Sequence, residues 1–96
     1  AGFKPYVYSM INFVLFRPYE MIRNGIVQHK ANVKLIGVKG SDKYKFLGFS
    51  HNMTNPQEDI QTCDLLGLES HTPQTNDEVK NVIEKTYQSG ACYIRL

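Results

Sequence analysis

Ninety-six residues, 42% apolar and 21% charged, make one domain (residues 1–96) that can close a single hydrophobic core but is too short for two. A net charge of +2 is far from the basic stripe of a dedicated duplex-DNA binder. No apolar run approaches the about 20 residues of a bilayer span, so no membrane role is expected.

In chain order, residues 6–16 come first, rich in aromatic and β-branched side chains and apolar on both faces in their second half. That composition predicts a central strand. Arg17-Pro18 breaks the run, and Pro suits the first helical position. Met21, Ile22, Ile26 and His29 then share one side of a helix, with Glu20 near its start and Gly25 weakening its middle. Residues 33–38 and 44–49 flank Lys39-Gly40-Ser41-Asp42-Lys43, and two strand-like runs around a short Gly-Ser-Asp loop predict a hairpin. Asn55-Pro56-Gln57-Glu58 reads as a capped helix start, Ile60 and Cys63 as its apolar side, and Gly67-Leu68 as a glycine stop. The polar stretch 69–75 reads as loop.

The best-marked pair of elements closes the chain. Thr75-Asn76-Asp77-Glu78 opens a helix, Val79, Val82, Ile83 and Tyr87 give it one apolar stripe, and Gly90 ends it. Residues 91–96 then read as a strand with Cys92, Ile94 and Leu96 turned inward. The order β-α-β-β-α-β is that of the split βαβ, ferredoxin-like sandwich of the α+β class, with a short extra helix between the third strand and the last helix. In that fold the first and third strands are central and the second and fourth lie at the edges.

Catalytic signals are weak. Gly37, Gly40 and Gly48 lie in or beside the hairpin, not between a strand and a helix as a phosphate loop requires. Cys63 and Cys92 form no CxxC pair and read as reduced, packed thiols, which fits a cytoplasmic chain. Glu58, Asp59 and Asp64 read as helix-end, solvent-exposed carboxylates. Asn52-Met53-Thr54 matches a glycosylation triplet, a pattern common by chance. The ferredoxin-like topology would bring His29, His51 and His71 to one pole, where imidazoles could ligate zinc, but loops collect polar residues at poles in any case. No metal or cofactor is therefore expected, and no enzymatic activity.

The binding expectation rests on the sheet. If Ile36 opposes Phe46 across the hairpin, the face turned away from the helices displays Lys34, Ile36, Tyr44, Phe46, Tyr93 and Arg95. Aromatics interleaved with cations suit a protein interface, and an uncovered apolar face marks one. The expectation is a small non-catalytic binding or regulatory module that meets another protein or a second copy of itself. The alternative is single-stranded RNA or DNA on the same face, by stacking and phosphate contact.

Overall fold

The computed structural model describes residues 3–39 and 42–96, with the side chains of residues 42–44 left out of the description. Four strands, β1 (Tyr6–Met10), β2 (Lys34–Val38), β3 (Glu69–His71) and β4 (Cys92–Arg95), form one sheet in the order β1-β2-β4-β3. All three pairings are parallel. The result is a small α+β domain, and no described helix is long and apolar enough to cross a membrane.

The parallel sheet replaces the expected hairpin sandwich for a physical reason. β2 is hydrogen-bonded to β1 on one side and to β4 on the other, so it has no free edge for a hairpin partner. Residues Asp42–Ser50 instead wind into a 3-10 segment, broken at Gly48, whose φ of 64° and ψ of −150° suit glycine almost alone. Strand β3 comes from Glu69–His71, inside the stretch expected to be loop. Gly40 and Ser41 of the expected turn lie outside the described residues.

The first expected strand is also divided. Only Tyr6–Met10 is extended, and Asn12–Phe16 forms a π-helical turn closed by the Arg17 N–H on the Asn12 carbonyl at 3.0 Å. Ile11, Val14 and Leu15 are all buried at helical spacing, so the doubly apolar half of the run is a core helix and not a strand. A short α1 (Tyr19–Met21) follows and widens into a second π-helical stretch, Ile22–Val27. The two later helices, α2 (Glu58–Leu66) and α3 (Asn76–Thr86), fall where the sequence puts them.

Side chains paired in parallel register point to the same side of a sheet and alternate along each strand. One face therefore carries Val7, Leu35, Gly37, Tyr93 and Arg95. Leu35 and Tyr93 pack there with Ile11, Val14, Leu15, Ile22, Cys63, Leu66 and Leu68 in the main core. The opposite face carries Tyr6, Tyr8, Met10, Lys34, Ile36, Val38, Cys92 and Ile94. There Thr86 of α3 meets Cys92, and both are buried.

A candidate ligand cleft at the carboxyl edge of the sheet

In open parallel sheets the loops leaving the carboxyl ends of the strands form the usual ligand crevice. A cleft of about 540 Å³ opens at that edge. Ile11 and Asn12, just beyond β1, and Lys39, just beyond β2, form one side. Lys45, Gly48, Phe49 and residues 51–56 bring the other side from the 3-10 segment and the turn before α2. The described lining has two lysines and a histidine, no carboxylate, and apolar surface from Ile11, Phe49, Met53 and Pro56.

The far wall is fastened to the sheet by one buried side chain. Asn12 Nδ2 donates to the Phe49 carbonyl at 2.9 Å and to the Asn52 carbonyl at 3.2 Å. Arg17 reinforces the wall, donating to the Ser50 carbonyl at 2.9 Å with its guanidinium 4.2 Å above the Phe13 ring. The His51 and Phe13 rings meet in a T-shaped pair with centroids 5.1 Å apart.

Hydrogen bonding assigns the His51 tautomer. Ser50 Oγ lies 2.9 Å from the Leu47 carbonyl, which can only accept, and 2.7 Å from His51 Nδ1. A hydroxyl has one proton, so Ser50 gives it to Leu47 and accepts from Nδ1–H. In that tautomer the ring lone pair is on Nε2, which can accept a hydrogen bond.

Beneath the Pro56 end of the cleft lies a buried ion pair. Asp59 is 0% exposed and accepts from Tyr93 Oη at 2.7 Å and from Arg95 Nε and Nη2, each at 2.9 Å. Arg95 Nη2 also donates to the Pro56 carbonyl at 3.0 Å. Burial works to raise the Asp59 pKa, but the Arg95 guanidinium, the Tyr93 hydroxyl and the Ile60 N–H together hold the carboxyl below its ordinary value. Burial, followed by the neighbouring Asp59, pushes the Tyr93 hydroxyl up. This cluster ties the start of α2 to the end of β4 and holds the Pro56 carbonyl at the cleft lining.

The residues expected to share an open face are dispersed. Lys34 and Tyr93 are both 0% exposed and lie on opposite faces, because Leu35, not Lys34, is the register partner of Tyr93. Lys34 Nζ donates to the Ser89 and Gly90 carbonyls, each at 2.7 Å, and to Asn32 Oδ1, and burial lowers its pKa. Ile36 is half-buried on the Lys34 face, and Arg95 is held by Asp59 on the other. Phe46 stands 82% exposed on the 3-10 segment, and the Tyr44 side chain lies outside the described residues.

The three histidines are separated too. In a parallel sheet His29 precedes β2 at the amino edge, whereas His51 and His71 lie toward the carboxyl edge. His71 Nε2 is 3.1 Å from a Glu69 carboxylate oxygen, and no cluster of three metal-ligating side chains occurs among the described residues. Asp59 is buried where solvent exposure was expected. The spacing of Asp59, Cys63 and Leu66 is the signal for it, since i, i+4 and i+7 share one helix face, here the buried one. No sequence signal of comparable strength marks Asn12, whose role depends on two carbonyls 37 and 40 residues away. Set against known protein families, curated proteins and solved structures, the chain has no match.

Proposed function

We propose that this is a ligand-binding domain whose carboxyl-edge cleft takes a small organic anion. The observation that carries the reading is the cleft lining: Lys39, Lys45 and His51 around an apolar floor, on a wall already fastened by Asn12 and Arg17. Such a lining suits a flat apolar body against Ile11, Phe49, Met53 and Pro56, with its negative group toward exposed Lys39. His51 Nε2 supplies an acceptor for a ligand hydroxyl or amine. Phenyl phosphate is a direct probe by NMR. The reading predicts shifts of the Ile11 and Met53 methyls, and binding weakened by salt and by Lys39→Glu. Undisturbed methyls at the highest soluble concentration would exclude it.

Protein contact is a second reading, favoured by a different observation. On the Lys34 side of the sheet, Tyr8 is 66% exposed beside half-buried Met10, Ile36 and Val38. A contiguous exposed apolar area on a sheet face is a partner or self-association surface. Sedimentation of the wild type against Tyr8→Glu tests it: a monomer in both cases argues against self-association. Single-stranded nucleic acid is less well supported, because Lys34 is buried and its ammonium is spent on backbone and Asn32 oxygens.

A further inference from the structure

Asn12 has one polar atom its structural duties do not use. Both carbonyls beside its amide, those of Phe49 and Asn52, can only accept, so the NH2 group must face them and Oδ1 must face away. Among the described residues no group donates to Oδ1, nor is it among the buried polar atoms that lack a partner. Asn12 is itself 6% exposed and lines the cleft. Its short side chain is anchored at the Nδ2 end, which fixes the direction of the remaining lone pairs.

We infer that Asn12 is a specificity-determining residue of the cleft: its Oδ1 accepts a hydrogen bond from a ligand N–H or O–H. The inference rests on the cleft being the ligand site and adds a demand on ligand chemistry. With His51 Nε2 also an acceptor, the cleft favours ligands that bear hydrogen-bond donors as well as a negative group for Lys39. The π-helical turn contributes directly. It starts at Asn12, two residues beyond the end of β1 at Met10, so the amide sits at the mouth of the sheet with a backbone set by the core residues Ile11, Val14 and Leu15. A ligand that places an acceptor or a methyl group at Oδ1 leaves that oxygen desolvated and unpaired.

The test is a matched pair of neutral fragments, 2-aminopyridine and 2-methylpyridine, followed by NMR at a pH where both are unprotonated. The amino group donates and the similarly sized methyl group cannot. The expected result is that both shift the Ile11 and Met53 methyls, that 2-aminopyridine binds roughly five-fold tighter, the worth of one net hydrogen bond, and that only it moves the Asn12 carbonyl 13Cγ resonance. In Asn12→Leu the preference should vanish. Because that variant also loosens the wall, the 13Cγ response of the wild type is the deciding signal. Equal binding of both fragments with no 13Cγ response overturns the role of Asn12 and leaves the cleft as the site. If phenyl phosphate shifts the methyls and neither fragment does, this inference is overturned and the cleft reading stands; if phenyl phosphate fails as well, both fall.

Discussion

Gly37 illustrates how tightly the main core is built. A Cβ at this position would lie 2.7 Å from Tyr93 Oη and 2.8 Å from its ring, closer than packed atoms tolerate. Gly37→Ala should therefore cost about 1–3 kcal/mol through overpacking, read as a lower urea midpoint. The neighbouring Asp59 makes a stronger prediction, since Asp59→Ala strands the Arg95 charge and the Tyr93 hydroxyl. Removing one partner of a buried ion pair costs about 3–5 kcal/mol, and partial access of water to Arg95 places the loss near the lower end. The pH dependence has a definite sign. Asp59 has a depressed folded-state pKa, so its stabilisation is complete above the unfolded carboxyl value of about 3.9 and fades as pH falls through the lower folded value. Unfolding midpoints measured down the acid limb should drop more steeply for the wild type than for Asp59→Asn. Burial pushes Cys63 up to about 12, and Cys92 is raised as well, so an aromatic disulfide reagent at neutral pH should react with neither until denaturant is added.

Helix α3 shows what was legible in the sequence at the scale of an element. Its start is a local signal, and the structure contains both halves of the capping box: Thr75 Oγ1 accepts from the Glu78 N–H at 3.1 Å, and Glu78 accepts from the Thr75 N–H at 3.2 Å. Thr75→Ala should cost about 1 kcal/mol in thermal unfolding. Helix α2 was legible from its stop, with Gly67 in the left-handed conformation at φ 73°, whereas its start falls at Glu58 after Gln57, with no side-chain cap bond, and not at Pro56. Residues 44–49 were not. Aromatic and apolar side chains alternate there as in a strand, yet Phe46 and Phe49 are 82% and 73% exposed. Phe49 lines the cleft and Phe46 faces solvent, an arrangement that a period of two cannot distinguish from one face of a sheet. Residues 6–16 misled differently, because a buried strand and a buried helical turn are both apolar all round. Only the spacing of Ile11, Val14 and Leu15 separates them, and that window is too short to decide from sequence.

At the scale of the whole molecule, strand direction decides where function can sit. An antiparallel hairpin sandwich would have turned Lys34, Phe46 and Tyr93 onto one open face. The parallel order buries Lys34 and Tyr93 on opposite sides and gathers Asn12, Lys39, Lys45 and His51 at the carboxyl edge. Element order alone could not supply this, because pairing partners are chosen by long-range contacts. The cleft, the Asn12 acceptor and the buried Asp59 pair all depend on β2 lying between β1 and β4. Inter-strand nuclear Overhauser contacts in the labelled protein test that placement most directly. Parallel contacts are expected from residues 34–37 to residues 92–95 and from residues 34–38 to residues 6–10. Close Hα–Hα contacts between residues 33–38 and 44–49, the mark of an antiparallel hairpin, would contradict it.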